Sequence, residues 1–137
     1  MGCIFCDIAT GDAEASIVTS TDRVVAFMDL FPIGEGHVLV IPRAHAAGLA
    51  DLDDEDAAEM MRVGRRLGAA QLALGLGIGA NLFLADGEVA GQEVFHAHLH
   101  VLPRNPGDGL HVSFDRAGPA TRTDLDAMAG RLADRLG

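Results

Sequence analysis

Apolar and polar positions recur along the chain in distinct periods, and each period predicts an element. Residues 3–10 suit one short helical turn closed by Gly11. Ile17-Val18-Thr19 and Arg23–Leu30 are rich in β-formers, and Ser20-Thr21-Asp22 between them predicts a hairpin. Phe31–Gly36 holds Pro32, Gly34 and Gly36 and reads as a loop. His37–Pro42 (HVLVIP) is an apolar, β-branched run bounded by Gly36 and Pro42, the pattern of a buried strand. Asp53–Leu76 has the period of a helix: Met60, Val63, Leu67, Ala70 and Leu74 form one apolar stripe. Asp53–Asp56 sits at its start, where the helix dipole favours negative charge, and Gly75 and Gly77 end it. Asn81–Ala85 predicts a strand, Asp86–Gly91 a loop, and Glu93–Leu102 a further strand. Residues 105–121 predict a long loop. Thr123–Leu136 predicts a closing helix with Leu125, Met128, Leu132 and Leu136 on one side. The order predicts an α+β domain, an antiparallel sheet of about five strands with two main helices.

With 137 residues, the chain is expected to be one domain over its whole length. Apolar residues make up 49%, enough to bury a core. Acidic residues number 20 against 10 basic ones, all Arg, for a formal charge of −10. That balance argues against nucleic acid or an anionic membrane as a partner, but leaves room for a small phosphorylated ligand at one local site. No apolar run is long enough to span a bilayer. The N-terminus lacks the pattern of a signal peptide, and Cys6 stands where a myristoylation signal needs Ser or Thr. The expected location is the cytoplasm.

The candidate chemistry lies at His96, His98 and His100, which alternate with Ala97, Leu99 and Val101. In a strand, residues two apart share a face at roughly 6.6 Å. Three imidazoles would then line one face while three apolar residues anchor the other. This arrangement suits a metal site. It also suits covalent catalysis, in which a neutral imidazole attacks an electrophile while its neighbours fix its tautomer. The loop Gly87–Gln92 precedes the triad; its glycines let backbone N–H groups approach an anion, and Gln92 can donate a hydrogen bond. His37 opens a strand near this site, as either a strand-end histidine with a backbone or water partner or an auxiliary phosphate contact. Cys3-x-x-Cys6 fits two incidental cysteines, a redox pair or half of a zinc site.

Gly91-Gln92-Glu93-Val94-Phe95-His96-Ala97-His98-Leu99-His100-Val101-Leu102 resembles the signature of the histidine-triad (HIT) family of nucleotide hydrolases and transferases. Phe27–Pro32 and Gly36–His45 resemble the family's N-terminal half in order and spacing. The resemblance runs from about Cys3 to Arg104. It implies a HIT-like fold, a purine nucleotide substrate and a symmetric homodimer joined by the long helices and a strand edge. His98 would attack the α-phosphorus of a phosphoramidate or dinucleoside polyphosphate and form a nucleotidyl-histidine that water hydrolyses. His100 would polarise the phosphate, and His96 would support His98 through its backbone carbonyl. Asp29 would hold the ribose. Phe5, Ile8, Phe27 and Leu30 would form the base slot, and Asp86, Gly91, Gln92, Glu93 and Val94 would lie around the phosphate. Asp86 stands where one branch has Asn, and a carboxylate there would repel phosphate unless it faces away or is protonated. Glu93 stands where Ser or Thr is common. Zinc-containing microbial members imply a structural Zn2+ on Cys3, Cys6, His45 and His96. Two rivals remain at this point: a non-catalytic nucleotide-binding module, and a zinc-dependent hydrolase with its metal on His96, His98 and His100.

Overall fold

The computed structural model describes residues 2–137. Its core is a five-stranded antiparallel sheet in the order β1-β2-β3-β5-β4. The strands are β1 (Ile17–Ser20), β2 (Val24–Met28), β3 (Val38–Pro42), β4 (Gly79–Phe83) and β5 (Leu99–Arg104). Three helices accompany it: α1 (Ile4–Thr10), α2 (Asp54–Ala73) and α3 (Arg122–Leu136). No described helix is long and apolar enough to cross a membrane.

The unbroken apolar runs of β2 and β3 follow from burial on both faces. Val24, Ala26, Val38 and Val40 point toward Met60, Val63 and Leu67 of α2. Val25, Phe27, Leu39 and Ile41 point the other way, against Phe5 and Ile8 of α1. Each of these side chains larger than Ala26 contributes about 1.5–3 kcal/mol when fully buried. Gly64 of α2 lets the helix lie close on the sheet, since a Cβ there would meet Leu99 Cδ2 at 2.7 Å. Both long helices have the side-chain caps their sequences offer: Asp53 accepts from the amides of Glu55 and Asp56, and Thr121 from that of Asp124.

Several expected boundaries shift. The helix ends at Ala73, and its buried stripe turns from Met60, Val63 and Leu67 to Gln71 rather than to Ala70 and Leu74. Three turns beyond Met60, a 3.6-residue period arrives at position 71, so Ala70 is exposed and Leu74 stands 76% exposed at the C-cap. The fourth strand occupies Gly79–Phe83 instead of Asn81–Ala85. The strand expected over Glu93–Leu102 begins only at Leu99 and runs to Arg104. Its ladder with β3 starts at the Val40–Leu99 pair. Two residues farther along β3 stands Pro42, which has no N–H to donate. The predicted α3 forms, but it buries none of its residues, and Leu125, Met128, Leu132 and Leu136 remain exposed.

Candidate functional site

The sheet face opposite α2 is covered unevenly. In one row across it, Phe27 of β2 pairs with Leu39 of β3, Leu39 with His100 of β5, and His100 with Phe83 of β4. α1 covers the Phe27 end, where Phe5 meets Phe27 edge-on at 5.4 Å. The His100–Phe83 end is partly open.

Three histidines, His37, His98 and His100, converge here, and their hydrogen bonds fix the protons. His98 Nδ1 lies 2.8 Å from the carbonyl of His96, so Nδ1 carries the hydrogen and Nε2 holds a free lone pair. Phe5 packs edge-on against the same ring at 5.1 Å. His37 is 1% exposed. Its Nδ1 accepts the Ile33 amide at 3.1 Å and lies 3.5 Å from Asp29 Oδ2. An amide can only donate, and it is the nearer partner, so it makes His37 Nδ1 an acceptor. His37 Nε2–H then donates to His100 Nδ1 at 2.9 Å. That leaves the hydrogen of His100 on Nε2. Burial lowers His37 from the ordinary imidazole range. Burial first, then His98 and His37 alongside, pushes His100 down to about 4. The hydrogen bonds therefore aim Nε2 of His98, the nitrogen without the tautomeric hydrogen, beside a neutral N–H donor on His100, with the rings 4.9 Å apart. This pair can attack an electrophilic centre and hydrogen-bond an oxygen attached to it.

His96 does not share their surface. Residues 96–98 precede the strand, so strict alternation fails there, and the ring turns toward the N-terminus. His96 Nε2–H donates to the Pro42 carbonyl at 2.7 Å, leaving the Nδ1 lone pair among the cysteines. His96 Nδ1 is 3.4 Å from Cys3 Sγ and 3.5 Å from Cys6 Sγ, and His45 Nδ1 is 3.3 Å from Cys6 Sγ. A tetrahedral zinc with Zn–S and Zn–N bonds of ordinary length has S···N edges of about 3.5 Å. All four ligand atoms lie within 4.8 Å of one another. Burial, with the Cys3 thiol beside it, raises the Cys6 thiol, a state that a divalent cation would reverse. Cys3, Cys6, His45 and His96 thus fit a structural zinc in spacing and donor chemistry, and the hydrogen bond to Pro42 orients the His96 ring.

The remaining expected residues take varied positions. Asp29 accepts the Phe31 amide through Oδ1 at 2.9 Å while Oδ2 faces His37. Ile8 is buried in the α1–sheet cluster, and Val94 packs against that cluster. Leu30 is 82% exposed. Asp86 accepts the Leu49 amide through Oδ1 at 3.1 Å. Gln92 is buried, and its amide nitrogen bonds the carbonyls of Ala47 and Val94 at 2.6 and 3.0 Å. Its oxygen accepts the Gly87 amide at 2.8 Å. Gln92 therefore spends its donors on shaping the loop. Gly91, at φ 97°, makes the loop's left-handed exit, and Glu93 is exposed. The sequence reading missed two features. His37 joins the Ile33 amide to His100 across 63 positions of chain separation. Phe83 stacks on His100 with centroids 4.2 Å apart and planes within 9°. Only the strand pairing brings Phe83 to His100.

A sequence profile described as "HIT domain" matches residues 10–107. A HIT-like protein of Mycobacterium tuberculosis is 38% identical over 133 residues, covering 96% of this chain and 90% of its own length. The crystal structure of a histidine triad nucleotide-binding protein from Candida albicans superposes with a TM-score of 0.86 at 30% identity, covering 98% of this chain and 97% of that one. A Zn-bound histidine triad family protein from Mycobacterium smegmatis gives a TM-score of 0.76 at 39% identity, with 98% of each chain covered.

Proposed function

The chain belongs to the histidine-triad (HIT) family, and from that premise we propose that it hydrolyses or transfers the nucleotidyl group of purine nucleotide phosphoramidates or dinucleoside polyphosphates through a covalent His98 intermediate. The observation that carries this reading is the hydrogen bond from His98 Nδ1 to the His96 carbonyl. It leaves Nε2 as the lone-pair donor.

In the proposed sequence, His98 Nε2 attacks the α-phosphorus. The bond to the leaving group breaks, and that group departs with the electron pair and takes a proton from solvent. The imidazole becomes a cation that keeps its Nδ1 hydrogen on the His96 carbonyl. Water then attacks phosphorus and gives up a proton to solvent, the P–N bond breaks, and His98 recovers its lone pair. His100 Nε2–H steadies a phosphoryl oxygen throughout. Its Nδ1 is occupied by the His37 N–H, and His37 takes its own bond from a main-chain amide, so this chain orients a donor and does not relay a proton. Asp29 holds the ribose hydroxyls and Phe5 and Phe27 flank the base. Zinc on Cys3, Cys6, His45 and His96 would supply a cross-link between α1 and the segments flanking the sheet. The His96 ring turned toward the cysteines favours this structural role over a catalytic metal shared by all three triad rings. The active unit would be a homodimer.

The deciding experiment is AMP release from adenosine 5′-phosphoramidate, with and without EDTA, for the native chain and His98→Ala. Turnover by the native chain in both conditions, none by the variant, and unchanged zinc in the variant are expected. Failure of the native chain on this substrate and on diadenosine polyphosphates would overturn the reading in favour of a nucleotide-binding module.

A further inference from the structure

We propose that Cys3 and Cys6 are a redox modification site: hydrogen peroxide converts the pair to a Cys3–Cys6 disulfide, the metal leaves, and the nucleotide slot loosens with it. The inference rests on the zinc cluster and the nucleotide reading above. Both thiols are free and half-buried. They have the Cys-x-x-Cys spacing that disulfide oxidoreductases close and reopen. Cys3 precedes α1, and its side chain folds back over the first turn, where Sγ accepts the Cys6 amide at 3.4 Å. Both sulfurs belong to the set of ligand atoms lying within 4.8 Å of one another. A disulfide is therefore a local closure of one turn and needs no rearrangement of the sheet. The ligands come from α1, from the end of the inner strand β3 and from the segment before the inner strand β5. None of them lies on a strand edge or a long helix, the elements a dimer would use.

The consequence for the site comes from a residue between the two sulfurs. Phe5 lies inside the Cys3–Cys6 turn and is 7% exposed. Its ring stands edge-on to Phe27 at 5.4 Å, to His98 at 5.1 Å and to His96 at 6.0 Å. α1 has seven residues and does not hold its shape without anchors elsewhere in the fold. A loaded cluster ties both ends of the turn to His45 and His96. A disulfide replaces those ties with a bond inside the turn itself, so the turn draws together around Phe5 and the ring leaves His98. The same step frees the His96 ring, and the His96 carbonyl is what holds His98.

The step balances with the peroxide alone. One thiolate attacks a peroxide oxygen, the O–O bond breaks, and a sulfenic acid forms while the departing hydroxide takes a proton from solvent. The second thiolate attacks that sulfur, the S–S bond forms, the S–O bond breaks, and this hydroxide also takes a proton. The two sulfurs give up two electrons in all, the peroxide becomes two waters, and the zinc passes to solvent.

The test treats the zinc-loaded chain with hydrogen peroxide. Released zinc is read with a colorimetric chelator, thiols are titrated, and the disulfide is located by non-reducing peptide mapping. About one zinc should appear for every two thiols lost, with Cys3 and Cys6 joined within one chain. AMP affinity by calorimetry should fall about tenfold, the scale of one lost aromatic pair, and should return with dithiothreitol and added zinc. In Phe5→Leu the zinc should still leave, but AMP affinity, already reduced, should fall no further. Zinc that stays bound, thiols that pass to sulfinic acid without a disulfide, a disulfide between chains, or an AMP affinity that survives the disulfide overturns the proposal. The ring protons of His98 separate this inference from the catalytic reading. They should shift on oxidation as Phe5 leaves, whether or not the native chain turns over. A reversible shift without turnover leaves the switch standing and removes the hydrolase; turnover with unmoved His98 resonances does the reverse.

Discussion

Replacing His37 by Leu tests whether the main chain sets the protons of the site. Leu fills most of the ring's volume but accepts no hydrogen bond and donates none. The Ile33 amide loses its 3.1 Å acceptor and His100 Nδ1 loses its 2.9 Å donor. A buried donor left without a partner costs about 1–3 kcal/mol. His100 is less buried and can recruit water, so the loss in stability is expected near 2 kcal/mol, about 7 °C in Tm for a chain of this size. The functional effect is separate. With Nδ1 free, His100 samples both tautomers and its Nε2–H is no longer held in place. Removal of an oriented donor typically costs at least a hundredfold; disorienting one should slow AMP release about tenfold. Long-range 1H–15N correlation of the histidine rings reads the tautomers directly. In the native chain, the hydrogen should be on Nδ1 of His98 and on Nε2 of His37, His96 and His100. In His37→Leu, only His100 should become mixed. A native His100 with its hydrogen on Nδ1, or a native His98 with its hydrogen on Nε2, would refute the reasoning.

Three further outcomes are expected. Cys3→Ser with Cys6→Ser should lose about one zinc per chain by elemental analysis. It should also lose amide protection in α1, since seven residues do not hold a helix alone; retention of both would remove the metal site. With zinc chelated, stability by urea titration should fall as pH drops from about 6.5 toward 4. The unfolded chain protonates His100 over that range while the fold keeps it neutral until about 4, so its share reaches at most about 3 kcal/mol; His37, lowered by burial, adds in the same direction. A flat profile, or one that His100→Asn leaves equally steep, counts against those assignments. Gly64→Ala gains about 1 kcal/mol of helix propensity. It also drives a methyl toward Leu99 Cδ2 at 2.7 Å, and overpacking of about 1–3 kcal/mol should win. Since Leu99 lies between His98 and His100, loss of turnover with only mild loss of stability is expected; a more stable, fully active variant would show that the helix has slack.

The sheet was legible because β2 and β3 are buried on both faces, and unbroken runs of β-branched residues record that directly. The triad was legible as spacing. What alternation alone could not convey was that Pro42 stops the ladder, so that the ring of His96 leaves the face of its neighbours and joins Cys3 and Cys6. The roles of Gln92 and Asp86 were equally hidden. Both are polar and sit beside a glycine-rich loop, yet Gln92 is consumed by backbone partners and Asp86 accepts a main-chain amide, pairings that sequence does not reveal. α3 was predicted from its period and forms with a Thr121 cap. Its period said nothing about what would cover it, and among the described residues nothing does.

Main-chain atoms hold three of the histidine rings: the Pro42 carbonyl holds His96, the His96 carbonyl holds His98, and the Ile33 amide orients His37. Every residue has a carbonyl, and every residue but proline has an amide. No substitution at position 42 deletes the acceptor, and at position 33 only proline deletes the donor. The number of single codon changes that can scramble these protonation states is therefore small, and a saturating library should concentrate its inactive members at the histidines themselves and at whatever bends the local backbone. Surface charge in such a lineage is free to drift, toward an excess of acid as here, while the chemistry of the pocket stays constant.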